Sequence, residues 1–183
     1  MCSSDLAGFT ISPTSGGRAS FNDGSLSVLT GTVAGTITLS ASFSDNSTPS
    51  NDMTPRPVKT FVYTVVAGSP VITRVVISNA SPTGFTVAVT GYSTPRDMTS
   101  AQFNFTPTTG TTLAASSATV QLGNAFTQWY GTTASNAFGS QFTFTIPFTV
   151  SSTGVISGAP ISAITVSLTN SKGTSTTFGP VNP

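Results

Sequence analysis

The residues able to do chemistry are few, and their spacing decides what they can do. The chain has five acids, Asp5, Asp23, Asp45, Asp52 and Asp97, with no Glu and no His. A hydrolytic nucleophile needs a base within hydrogen-bond reach, most often His. The acids after Asp5 stand in turn contexts: Asn22-Asp23-Gly24, Ser44-Asp45-Asn46, Asn51-Asp52 and Arg96-Asp97. There a carboxylate ordinarily bonds its own backbone two residues on. A glycosidase pair needs two carboxylates facing each other across the scissile bond, and no pattern here supports one. No catalytic residue is assigned, and the chain reads as non-enzymatic.

Binding chemistry fares little better. Calcium takes six to eight oxygens, usually from several carboxylates. Asp45, Asn46, Asn51 and Asp52 share a loop, but their spacing matches no calcium pattern, so solvated loop acids are expected and no metal or cofactor is assigned. Cys2 stands alone, which rules out an internal disulfide and a Cys-based metal site. A Lys–Asn cross-link would need Lys59 or Lys172, and Lys172 falls in the turn pattern Asn170-Ser171-Lys172-Gly173. Arg96-Asp97 is expected to form a local ion pair that fixes its turn.

Phe126, Trp129 and Tyr130 remain as the candidate ligand-binding residues. They recur at helix spacing within 124–138, with Asn124 as a possible cap. Rigid aromatic faces suit recognition surfaces and stack on sugar rings. Three aromatics on one helix face equally suit its buried side, plugging an end of a sandwich, and that is the expectation.

The rest of the chain is written for strands. Charged residues make up 6%, against roughly 25% in ordinary domains, and 17 Gly, 12 Pro and 13 Phe accompany abundant Ser and Thr. Thr and Phe suit a pleated, half-buried surface. The net charge is +1, and Arg18, Arg56, Lys59, Arg74, Arg96 and Lys172 are scattered, so nucleic acid is not expected as a partner. No stretch has the ~18 apolar residues of a spanning helix, so no membrane insertion is expected either.

Period-2 alternation marks the elements. In 141–150, Phe142, Phe144, Ile146, Phe148 and Val150 face one way, and Pro147 among their neighbours requires an edge or a bulge. Similar runs lie at 71–78, 83–91, 101–106, Val120/Leu122, 164–168 and 174–178. Seven strands over about 110 residues is the size of an immunoglobulin-like sandwich. The first part offers five: Phe9/Ile11, Ala19/Phe21, Leu26/Val28, 37–43 and 61–65, with 44–57 a surface loop joining the last two. The boundary is read at Val66–Pro70. The expectation is an all-β chain of two tandem immunoglobulin-like β-sandwiches. Residues 1–67 form a first one, either N-terminally truncated or a small complete module, and 68–183 a complete one of about seven strands with a short helical connection near 124–138.

Several runs also resemble a known family. Ser69–Asn79 (SPVITRVVISN), Gly84–Met98 (GFTVAVTGYSTPRDM), Phe126–Tyr130 (FTQWY), Phe138–Phe148 (FGSQFTFTIPF) and Val166–Gly173 (VSLTNSKG) look like immunoglobulin-like repeat modules of large surface proteins from environmental bacteria. Gly31–Ala41 (GTVAGTITLSA) is similar to later strands of such repeats. The resemblance implies an extracellular or cell-surface stalk or adhesin and carries no catalytic residues. The implied role is a non-catalytic spacer, or alternatively a carbohydrate- or protein-binding adhesin module. Its partners would be neighbouring modules of the same chain, with a polysaccharide or a surface protein for the alternative. Met1–Leu6 has neither the basic start nor the apolar run of a secretory signal. It resembles translated adaptor sequence, so it is expected to be non-native, with the native leader missing.

Overall fold

A computed structural model describes residues 8–11, 19–20, 27–45, 47–154 and 158–183. The expectations for Cys2, Met1–Leu6, Arg18, Phe21, Asp23, Leu26 and Asn46 lie outside these. The chain forms two compact units, residues 1–31 and 32–183. In the first, β1 (Thr10–Ile11) pairs antiparallel with β2 (Ala19–Ser20). Val28, read as strand from its apolar neighbours, belongs to none.

The second unit opens with an antiparallel hairpin, β3 (Gly35–Ser40) and β4 (Thr60–Val65). Phe43 lies beyond the end of β3. Ile37 sits opposite Tyr63 and Leu39 opposite Phe61, so these four share one face, while Thr36, Thr38 and Thr64 share the other. Phe61 is 64% and Tyr63 49% exposed. Among the described residues the hairpin gives nothing to the main core.

That core belongs to an all-β sandwich. One sheet has the order β5 (Val71–Ser81), β6 (Gly84–Tyr92), β10 (Gln141–Thr149). The other runs β9 (Ser117–Gln121), β7 (Ser100–Pro107), β12 (Ile161–Asn170), β13 (Gly173–Thr174), with β14 (Phe178–Val181) also on β12. Consecutive strands cross between the sheets after β6, after β9 and after β10. Short β8 (Thr112–Leu113) and β11 (Ser152–Thr153) pair at the end where β6 begins and β7 finishes.

Alternation explains the packing. In β6 Phe85, Val87, Val89 and Gly91 are buried, and Thr86, Ala88 and Thr90 face outward. In β12 a bulge before Ala163 resets the register, so that both Ile161 and Ile164 point inward. Phe148 gathers Phe85, Phe103 and Phe105 at centroid distances of 5.4, 5.1 and 5.3 Å, which ties the two sheets together. Gly91 permits the close approach of β5, because a Cβ there would lie 2.3 Å from the Val71 carbonyl oxygen. Pro147 is accommodated because β10 is an outer strand, paired only with β6 among the described residues.

Two strand expectations need correction. Leu122 continues the alternation of Val120, yet the backbone turns there into a helix, and Leu122 is its buried N-cap. The last strand, expected at 174–178, is broken into β13 and β14. Between them Ser175 bonds Leu168 through both its amide and its hydroxyl.

Candidate functional site

The end of the sandwich where β6 finishes and β7 begins carries a crown of connections. Helix α1 (Gly123–Tyr130) and a 3-10 turn (Ala134–Phe138) cross there from one sheet to the other. Asn124 does not cap α1. It lies inside the first turn, and no side chain caps that end. Phe126 lies one turn ahead of Tyr130 and faces the strands.

The crown separates the three candidate residues. Phe126 is 5% exposed and packs edge-on against Phe142 at 5.0 Å and Phe144 at 5.8 Å. Tyr130 is half-buried, lies 5.7 Å from Phe126 and donates its hydroxyl to the Ser140 carbonyl at 2.8 Å. Burial pushes its phenol up to about 12 against the opposing pull of Arg96. Trp129 turns away, part-exposed, onto Phe138 at 5.8 Å and 44°. Phe138 is 55% exposed. The surface aromatic pair is therefore Trp129 with Phe138, while Phe126 belongs to the core.

Arg96 makes no ion pair with Asp97. It adopts φ 57°, and its guanidinium lies over the Tyr130 ring at 5.0 Å. It donates to the Tyr130 carbonyl (2.9 Å), the Gly139 carbonyl (3.0 Å) and the Ser135 hydroxyl (2.7 Å). Carbonyls at a helix C-terminus carry partial negative charge, so the cation is stabilised there without a carboxylate. Asp97 Oδ1 is buried with no hydrogen-bond donor among the described residues.

A polar network beneath the crown escaped the sequence reading. Ser93 and Ser140 are fully buried and Asn170 is 4% exposed. Asn170 Nδ2 donates to the Ser93 hydroxyl and to the Gly68 carbonyl, both at 2.9 Å. Ser93 donates its hydroxyl to the Asp97 carbonyl at 2.6 Å and its amide to the Ser140 carbonyl at 3.1 Å. Thr94 accepts the Gly68 amide on its hydroxyl and the Ala34 amide on its carbonyl, each at 2.8 Å. Ser140 donates its amide to the Thr32 hydroxyl (3.1 Å) and its hydroxyl to the Thr32 carbonyl (2.7 Å). Polar atoms buried this deeply hold their structure only when satisfied, and here they satisfy one another.

The loop acids are likewise occupied. Asp45 accepts the Asn51 amide and side-chain NH2, each at 2.8 Å, and the amide and hydroxyl of Ser47. Asp52 accepts the Thr54 amide and pairs with Arg56 at 2.9 Å, the one ion pair among the described residues. No group of three acids, His or Cys able to hold a metal occurs among those residues.

The Asn51 bonds foremost, then those of Ser47, hold the Asp45 carboxyl well below the usual carboxylate range. A lowered folded pKa means that its contribution is complete above the unfolded value, about 4, and is lost as pH falls through the folded one. The Ser47 and Asn51 amide resonances should therefore hold their positions from neutral pH to about 3 and move only below it. An NMR titration of the loop with a midpoint at the ordinary Asp value would show these bonds to be unformed in solution.

No helix among the described residues is long and apolar enough to cross a membrane. No family model, curated protein or solved structure matches the chain.

Proposed function

We propose that the chain is a non-catalytic structural module, a spacer within a multi-domain bacterial surface or secreted protein, located outside the cell, with neighbouring immunoglobulin-like modules of the same chain as its partners. The observation that carries the reading is the direction of the terminal strands of the sandwich. β5 sets off from the crown, where Val71 lies opposite Tyr92. β14 runs the other way along β12, from Phe178 opposite Val166 to Val181 opposite Ile164. A chain that enters at one end and heads for the other is lengthened by the module. At about 3.3 Å per strand residue, the advance from the level of Asn170 at the crown to Val181 opposite Ile164 is roughly 20 Å. Further support comes from how the reactive side chains are used: Asp45, Asp52, Arg56 and Arg96 are all held by partners within the chain.

The second reading, a carbohydrate- or protein-binding adhesin module, is favoured by the Trp129–Phe138 surface pair. Trp129 is the single Trp, so its fluorescence separates the two. A spacer should show moderate acrylamide quenching of Trp129 that no soluble polysaccharide alters. Protection of Trp129 by one polysaccharide, lost in Phe138→Ala, would replace the spacer with a carbohydrate-binding module.

A further inference from the structure

The β3–β4 hairpin is held to the sandwich through polar atoms. It adds nothing to the main core among the described residues, yet its flanks are hydrogen-bonded into the crown at both ends. Ahead of β3, Thr32 bonds Ser140 twice and the Ala34 amide bonds the Thr94 carbonyl. After β4, Gly68 bonds the Thr94 hydroxyl with its amide and Asn170 with its carbonyl. A hairpin tethered on one strand pivots about that tether, whereas one tethered on both strands cannot turn without breaking a set of bonds. Hydrogen bonds are also directional, weakening steeply as they bend, whereas apolar contacts tolerate sliding. Burial of Ser140 and Asn170 keeps water from competing for these partners.

The chemistry says what this surface accepts. Ser140, Thr94 and Asn170 contact the backbone amides and carbonyls of Thr32, Ala34 and Gly68, and of the side chains they use only the Thr32 hydroxyl. At Gly139, φ 61° and the approach of Thr32 leave little space, since a Cβ there would lie 3.0 Å from the Thr32 hydroxyl. The surface fits an extended segment read by its main chain, of the kind that ends or begins a β-strand.

We infer that the crown is a fixed-angle coupling: it seats the two segments flanking the hairpin, and the hairpin and the sandwich tumble as one rigid body. This deepens the spacer reading, because a row of modules resists bending only where its joints do. The polar clamp sets the angle, and Thr94 and Asn170 hold its β4 side.

The test is ¹⁵N relaxation on the full chain. Amides of 35–40 and 60–65 should report the same rotational correlation time as those of 84–92 and 161–170. In Thr94→Val combined with Asn170→Ala, the hairpin amides should lose that common time. The Gly68 amide should then exchange roughly tenfold faster, as expected for a lost part-buried hydrogen bond. A wild-type hairpin tumbling faster than the sandwich overturns the coupling. So does a double variant that keeps the common correlation time and Gly68 protection. Should the double variant unfold, Thr32→Val, which lies outside the sandwich strands and removes one of the β3-side bonds, should speed exchange of the Ser140 amide several-fold, and an unchanged Ser140 amide overturns the clamp. A mobile joint sinks this inference alone, since the spacer reading stands or falls on the response of Trp129 to polysaccharide.

Discussion

Replacing Phe103 by Ala should destabilise the second unit by about 3–5 kcal/mol, the range for a fully buried aromatic ring. Phe103 is 0% exposed and lies on β7, and its ring meets Phe148 of the opposite sheet edge-on at 5.1 Å. Phe148 in turn holds Phe85 and Phe105, so the substitution opens a cavity beside the ring on which the other two converge. A domain has only ~5–15 kcal/mol in total, so the variant would sit near the edge of folding. Its melting temperature should drop by roughly 10 °C or more. Phe138→Ala, at a ring 55% exposed, is the matched control and should cost under about 1 kcal/mol. Urea unfolding of the two variants decides the matter. A Phe103→Ala loss no larger than that of Phe138→Ala would mean that the sheets do not close around this ring.

The sandwich was legible in the sequence because alternation and burial coincide there. Phe85, Val87 and Val89 are written as every second residue, and they are the buried set of β6. Phe142, Phe144, Ile146 and Phe148 mark the inner face of β10 in the same way. The helical connection was legible too, since Phe126, Trp129 and Tyr130 fall at spacings a strand would scatter to both faces. Alternation failed where the backbone changes direction without changing the residue pattern. Leu122 looks like the next inward residue after Val120, and only the turn into α1 makes it a cap.

The crown was not legible, for a different reason. Ser140 and Thr32 are 108 positions apart, and Asn170 and Gly68 are 102 apart. In a chain rich in Ser and Thr, no single hydroxyl announces that it will be buried. Which aromatic faces outward was equally hidden. Trp129 and Phe138 meet only because the chain turns between α1 and the 3-10 turn, and Arg96 helps to hold that turn from a strand connection far back in the sequence. Reading Arg96 with Asp97 relied on sequence proximity, whereas the left-handed backbone at Arg96 sends the guanidinium across to Tyr130 and Gly139.

Arg96 consequently carries the second large expected effect. Arg96→Met should destabilise the second unit by about 3 kcal/mol. It removes three charge-assisted donors, each ordinarily contributing about 1.5–3 kcal/mol and not additive with the others, together with the contact over the Tyr130 ring. The Gly139 carbonyl and the Ser135 hydroxyl would lose the guanidinium as donor, and the Tyr130 carbonyl would keep only the Ser135 hydroxyl at 3.3 Å. Arg96→Gly should fall short of that loss by roughly 1 kcal/mol, because glycine adopts φ 57° without the penalty a side chain meets there. Titration of the Tyr130 phenol then distinguishes a crown that has come apart from one that has merely lost a charge. Burial is the larger cause of its elevation and Arg96 opposes it, so losing the cation from an intact crown drives the phenol further up from about 12. A crown that opens exposes the ring, and the phenol falls back toward the ordinary value of about 10. The fall is the expected result, since the guanidinium is what joins the last turn of α1 to Ser135 and Gly139. Stability equal to wild type in both variants, with a phenol that only rises, would reduce Arg96 to a neighbouring charge and leave the buried Ser93–Asn170–Ser140 network as the sole support of the crown.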